Sequence, residues 1–321
     1  MHNNTAAPEQ YSGDVLPYTK RETRKGRVHT VKITNKIGVI ADGFRVGVRQ
    51  GIAKAKEVGA EGLQLYAVRG EMEPQSLSAS ARRELKDYIA SLGLDIAALC
   101  GDLGAFGFED EAANPEKVEK SKRIMELAKE LGTDIVTTHI GVIPYDSESR
   151  EYAAMQAACR ELCEYAESMG SFFAIETGPT TVYHLKQFLD TLGGKGVSVN
   201  YDPANLVMVT GDDPVRGVYT LKDYIVHTHV KDGVRFVAVD PREVYGALHY
   251  TPQENGKIRE LVRARKVYTE TPLGEGHVSF DAYFQALLDI GYTGYLTIER
   301  ETGEHPEANI RQAVDFVKTY R

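Results

Sequence analysis

Four apolar runs in the second half of the chain each end on a group able to bind a cation or move a proton. They are Phe172-Phe173-Ala174-Ile175-Glu176, Val197-Ser198-Val199-Asn200-Tyr201-Asp202, Ile225-Val226-His227-Thr228-His229 and Tyr295-Leu296-Thr297-Ile298-Glu299. A lone carboxylate in such a place can simply cap the helix that follows. Four such groups, spaced one per repeat, are harder to explain that way. The steps from Glu176 to Asp202 and from Asp202 to His229 each match one strand-plus-helix unit, and the step to Glu299 is one unit with a long loop added. Three carboxylates brought together repel unless a cation lies between them. With one imidazole, the set favours Mn2+ or Mg2+ and tolerates Co2+ or Zn2+. The expectation is one divalent metal held by Glu176, Asp202, His229 and Glu299.

Other residues can serve the same mouth. His139 ends the run Ile135-Val136-Thr137-Thr138-His139 and is expected to face a substrate or act on it. Lys231, two residues beyond His229, is either an acid/base group or a solvated rim cation. His227 shares the parity of His229 and should lie one layer deeper as buried support. Asp102, in Cys100-Gly101-Asp102-Leu103-Gly104, reads as a loop-shaping residue. Glu270, just before Pro272-Leu273-Gly274-Glu275-Gly276, is placed to close a pocket. No cluster of Lys and Arg stands out as a phosphate pocket.

The elements that must position these groups follow a regular rhythm from Lys36 onward. Strands are expected at Ile37–Ala41, Gly62–Ala67, Asp95–Leu99, Ile135–His139, Phe172–Glu176, Val197–Tyr201, Tyr224–His229 and Tyr295–Glu299, with amphipathic helices between them. The helix after the third strand shows the pattern. Asn114 is a candidate cap, Pro115 suits the first turn, Val118, Ile124, Leu127, Ala128 and Leu131 form an inward stripe, and Gly132 closes it. Strands alternating with helices give an α/β fold with a parallel sheet, and eight units point to a single (β/α)8 barrel. An open doubly wound sheet is the rival, but Asp42-Gly43-Phe44-Arg45 after the first strand is no dinucleotide fingerprint. Residues 36–321 are expected to be the barrel domain and residues 1–35 a polar N-terminal extension. The latter includes the basic run Lys20–Arg27 and a short extra strand at Val28–Ile33. After strand seven, roughly 50 residues precede the next helix near Ser279, so a long loop should emerge at the C-terminal face as a lid or subunit contact.

The chain is 321 residues long with a net charge of −8 from 38 basic and 46 acidic residues, which disfavours a nucleic-acid partner. No stretch approaches the roughly 18 apolar residues of a membrane span, so no membrane partner is expected. The polar start carries no apolar leader, and a cytoplasmic location is the expectation. Three cysteines, Cys100, Cys159 and Cys163, are too few for a disulfide framework. Cys159 and Cys163 share a helix face and read as small buried side chains.

The strand ends quoted above, together with Thr137-Thr138-His139-Ile140-Gly141-Val142-Ile143-Pro144 and Pro272-Leu273-Gly274-Glu275-Gly276, resemble the xylose-isomerase-like TIM-barrel superfamily, in particular its sugar phosphate isomerase/epimerase branch. The resemblance covers roughly residues 36–320. It implies that the four strand-end residues are metal ligands and that Glu176 and Glu299 exchange a proton with the substrate carbon. Epimerases of this kind carry a His three residues after the aspartate ligand, where this chain has Asn205. They also carry an Arg soon after the histidine ligand, a place Arg235 would fill as a substrate contact. The related repair endonucleases need further histidines that this chain lacks.

A metal beside carboxylates suits proton abstraction next to a carbonyl, with the enediolate stabilised by the cation. The expected function is a metal-dependent sugar isomerase or epimerase acting on a small sugar or sugar derivative. A lyase or dehydratase on a keto sugar or 3-keto glycoside, including C-glycoside cleavage, would use the same intermediate. The rival from another class is a non-catalytic sugar-binding barrel. A homo-oligomer or a partner subunit is compatible with the arm and the long loop.

Overall fold

The computed structural model describes residues 30–104 and 106–321. Its strands are β1 (Ile37–Ile40), β2 (Gly62–Tyr66), β3 (Asp95–Cys100), β4 (Ile135–Thr138), β5 (Phe172–Glu176), β6 (Val197–Tyr201), β7 (Ile225–Val230), β8 (Asp232–Arg235), β9 (Tyr268–Thr271) and β10 (Leu296–Ile298). Eight of them, β1 to β7 and β10, close into a parallel barrel in which β1 pairs with both β2 and β10. The expected strands are therefore found, with no end shifted by more than one residue.

The larger helices between strands are α1 (Val48–Val58), α2 (Ala79–Ser91), α3 (Asn114–Leu131), α4 (Arg150–Met169) and α5 (Val182–Asp190). The short α6 (Pro203–Asn205) and α7 (Pro214–Thr220) follow β6. In α3 the expected stripe is buried, and Gly132 ends the helix at φ 102°, a backbone conformation that glycine adopts without steric cost. Asn114 does not cap this helix. Its buried side-chain amide donates instead to the carbonyls of Phe108 (2.9 Å) and Ala154 (3.2 Å), tying the helix start to the preceding loop and to α4. Cys159 and Cys163 are buried on α4, as their spacing implied.

The extra strand expected at Val28–Ile33 is absent from its described part, residues 30–33. A closed barrel offers no free edge for a ninth strand. Val31 and Ile33 are nonetheless buried, the Ile33 N–H donates to Tyr320 O at 2.9 Å, and the Asn35 amide donates to Tyr292 O and Gly294 O. Residues 31–35 thus belong to the packed body rather than to a solvated arm. The basic run Lys20–Arg27 lies outside the described residues. Among the described residues, no helix is long and apolar enough to cross a membrane.

The segment between β7 and α10 (Phe280–Asp289) is an insertion with structure of its own. It holds the antiparallel pair β8–β9, the short helices α8 (Pro241–Tyr245) and α9 (Lys257–Arg263), and returns to the barrel, whose last helix is α11 (Pro306–Lys318). Both ends of the insertion meet at Asp232. Its buried carboxylate accepts the backbone N–H groups of Gly233, Gly274, Gly276 and Val278 at 2.8–3.1 Å. Burial pushes this carboxyl up to about 6, while those four donors hold it down. A Cβ at Gly276 would lie 2.1 Å from Asp232 Oδ1, which accounts for the glycine there.

Candidate metal centre

Parallel strands in register carry their C-terminal ends to one rim, and the last inward side chain of each strand meets its neighbours there. Glu176 ends β5, Asp202 follows β6, His229 lies in β7 and Glu299 follows β10. All four are buried, and one ligand atom from each lies within 4.8 Å of the others. His229 Nδ1 is 3.2 Å from Glu299 Oε2, 3.6 Å from Asp202 Oδ2 and 3.7 Å from Glu176 Oε1.

The capping role open to any such carboxylate is half true of Asp202. Its Oδ1 accepts the N–H groups of Ala204 and Asn205 at 2.8 Å each, at the start of α6. Its Oδ2 is buried with no hydrogen-bond partner, and so is His229 Nδ1. Two orphaned polar atoms aimed at one point, with two further carboxylates beside them, fit a divalent cation. The tautomer fits as well. His229 Nε2 donates to Gln64 Oε1 (3.0 Å), which leaves the Nδ1 lone pair facing the centre. His227 also meets Gln64 Oε1 (3.1 Å), and burial pushes its pKa well below the usual histidine value, so it is the neutral buried support its parity implied. For His229, burial opposes a charge, but Glu299 and Glu176 outweigh it and lift the pKa well above the ordinary range.

Glu176 is held from two sides. Asn205 Nδ2 donates to Oε1 at 2.8 Å and Asn200 Nδ2 to Oε2 at 3.2 Å. Asn205, standing where the resemblance led one to expect a histidine, therefore touches one of the candidate ligands directly. His139 follows β4, with Nε2 3.8 Å from Glu176 Oε1 and no hydrogen-bond partner. Its Nδ1 pairs with Asp102 Oδ2 at 3.0 Å, and its ring packs at a tilt against that of Tyr245. Burial opposes a charge on His139, yet Glu176 and Asp102 raise its pKa to about 9. Asp102 does shape its loop, through Gly104 N–H, but it also orients this histidine. Across the centre, Lys231 is buried rather than solvated. Its Nζ lies 2.9 Å from Glu299 Oε2, 3.0 Å from Glu301 Oε2 and 4.0 Å from Asp202 Oδ2.

These groups open into a cavity of about 440 Å3 that also receives Tyr66 from β2 and Tyr245, Arg263, Arg265, Tyr268 and Glu270 from the insertion. Glu270 reaches the mouth, but its carboxylate is engaged by Arg300 and by the Glu301 N–H, so it fixes the loop after β10. Arg235 does not line this cavity. At the end of β8 it packs against Gly211 and donates to Val237 O, because the hairpin carries it past the rim. Sequence reading missed Gln64, Asn200 and Tyr245. The signal for the first two was there: a polar amide of inward parity within an otherwise apolar strand.

The profile of the family described as xylose isomerase-like TIM barrel matches residues 52–320. The chain is similar to fructoselysine 3-epimerase of Escherichia coli O157:H7, with 22% identity over 288 residues that span 84% of this chain and 92% of that protein. Among solved structures it is similar to a xylose isomerase domain protein from Planctomyces limnophilus, with TM-score 0.70, 21% identity, and 91% and 98% of the two chains covered. It is also similar to a xylose isomerase-like TIM barrel protein from Mycobacterium smegmatis in complex with magnesium, with TM-score 0.65, 16% identity, and 91% and 97% covered.

Proposed function

The chain belongs to the xylose isomerase-like TIM barrel family, and from that membership we propose that it is a divalent-metal-dependent sugar isomerase or epimerase. The observation that carries this reading is the convergence of Glu176, Asp202, His229 and Glu299 on one point, with Asp202 Oδ2 and His229 Nδ1 left unpartnered there. The likeness to fructoselysine 3-epimerase supports the reaction class, and the magnesium complex of the mycobacterial relative supports a divalent cation. Mn2+ or Mg2+ suits three carboxylates and an imidazole best.

When bound, such an ion supplies a Lewis acid for a sugar carbonyl and its neighbouring hydroxyl. The chain's own residues do the rest. Glu176 ends β5 and Glu299 follows β10, so they would approach the substrate carbon from different sides, one to remove a proton and the other to return one. Each carboxylate has a basic neighbour for onward transfer, His139 beside Glu176 and Lys231 beside Glu299. Asp102 fixes the ring of His139, and Asn200 and Asn205 hold the carboxylate of Glu176 in place. Tyr66, Tyr245 and Tyr268 line the cavity and supply aromatic surface against which a sugar can pack.

Incubation of candidate keto sugars with protein and Mn2+ in heavy water, followed by NMR, tests the reading. A substrate should take up solvent deuterium at a carbon next to the carbonyl, and Glu176→Gln should suppress the uptake. Conversion of a true substrate with no deuterium in substrate or product counts against the route. Uptake that persists in the variant moves the base to His139 or Lys231.

A further inference from the structure

Resting on the reading just given, we propose that the substrate carries an anionic group at the end remote from its carbonyl, and that Arg263 and Arg265 bind it. The segment 257–266 holds five cations, Lys257, Arg259, Arg263, Arg265 and Lys266, against one carboxylate, Glu260, in a chain of net charge −8. It is the basic cluster that a reading of the whole chain overlooked. Arg259 is spent on Glu243 (3.4 Å), and Lys257 faces Glu254 (3.7 Å). Arg263 and Arg265 instead line the cavity that also takes in Glu176 and Glu299, and among the described residues neither guanidinium has a hydrogen-bond or ion-pair partner.

Every other charge in that lining is already matched. Glu176 and Glu299 belong to the centre, Lys231 faces Glu299 and Glu301, Glu270 faces Arg300, and His139 faces Asp102. Two cations on the wall of a shared cavity thus lack a counter-charge among the described residues. The cavity, at about 440 Å3, lies within the roughly 300–1,000 Å3 of pockets that enclose a whole ligand. A guanidinium pair matches a carboxylate or a phosphate, and both groups accept paired N–H donors.

The backbone at Arg265 adds an independent observation. Arg265 sits just past α9 with φ 55°, its N–H bonded to Val262 O, while the Lys266 N–H reaches back to Leu261 O. This is the left-handed position after a helix where glycine is favoured. An arginine kept at such a place is unfavourable for the local backbone, so its side chain is expected to serve a use elsewhere.

The test is equilibrium binding by calorimetry to the full-length protein in the presence of Mn2+, with D-fructose, D-fructose 6-phosphate and D-fructuronate as probes. At least one anion should bind tenfold or more tightly than fructose, and the preferred anion tells phosphate from carboxylate. Arg263→Gln and Arg265→Gly should each weaken that anion about tenfold and leave fructose unchanged. Arg265→Gly should not lower the melting temperature, because glycine suits the backbone there, so a loss of affinity cannot be ascribed to unfolding. Equal binding of all three sugars, failure of both anions to bind, or a preference that survives in both variants overturns the proposal. Deuterium exchange is scored separately. Anion preference without exchange leaves the arginine site standing and sinks the isomerase reading, whereas exchange on fructose and both anions alike, unaffected by either variant, does the reverse.

Discussion

Glu176, Asp202 and His229 stand one per strand on neighbouring parallel strands, with Glu299 closing the ring from β10. The insertion over them brings its residues from unlike places: Tyr245 ends α8, Arg263 ends α9, and Tyr268 and Glu270 lie on β9. In the ring every side chain is buried and oriented by another buried group, as Gln64 orients His229 and Asn205 orients Glu176. In the insertion, Arg263 and Arg265 are exposed at the mouth. The difference teaches a division of labour. On the function proposed above, the barrel would set what is done to a carbonyl, and the insertion would select which carbonyl compound arrives. Such a division agrees with active sites at the C-terminal face of barrels, where loops vary over a fixed strand frame.

The comparison breaks most visibly at the ring. Glu299→Gln removes one charged group from the proposed metal centre and should lower turnover by about 10^3-fold or more, with metal content reduced and the circular dichroism spectrum unchanged. Full metal content measured by mass spectrometry, with normal turnover, would remove Glu299 from the centre.

A smaller effect follows from the proton on His229. Its raised pKa means that, at neutral pH and without metal, the imidazole carries a proton that coordination must displace. Below that pKa, metal affinity should therefore rise about tenfold per pH unit and level off above it. Free Mn2+ measured by electron paramagnetic resonance at pH 6, 7 and 8 reads this directly. An affinity flat across that range means that no proton leaves His229.

Smaller again is the effect of loosening the insertion while the ring is kept. Asp232→Asn places an amide N–H group against backbone donors and should cost about 1–3 kcal/mol. The loss should surface first as faster proteolysis between Asp232 and Val278, with the barrel core still protected from hydrogen exchange. Uniform loss of protection across the barrel is the contrary result. The smallest effect is expected for Arg235→Ala. Because Arg235 stands off the cavity, kcat/KM should change by less than about twofold, within the usual range for surface substitutions. A tenfold fall would put it back at the mouth.

The same division explains what could be read from the chain. The ring was legible because strands repeat, so that a residue closing an apolar run has a known place in a barrel. Strand ends at Glu176 and Tyr201 fall where expected for that reason. The pairing of Asp102 with His139 joins two loops 37 residues apart, and no periodicity announces such a contact. Asn114 looked like a cap because local chemistry allowed it, but tertiary partners claimed its amide. Val31 and Ile33 alternate as a strand does, yet the barrel they pack on has no edge to receive one. The hairpin of β8 and β9 and the basic segment between its two strands lay in what read only as a long loop.

The carboxylate of Asp232 gathers Gly233 at one end of the insertion and Gly274, Gly276 and Val278 at the other, so the excursion leaves and re-enters the barrel at one point. The entropy of closing a loop whose ends already meet grows only slowly with its length. Between Asp232 and Gly274, then, a shorter or longer segment can be spliced in without moving the frame beneath. For evolution, or for a protein engineer, that carboxylate is the socket of an exchangeable cassette: new substrates can be sampled by swapping the overhang, while inherited chemistry stays where it is.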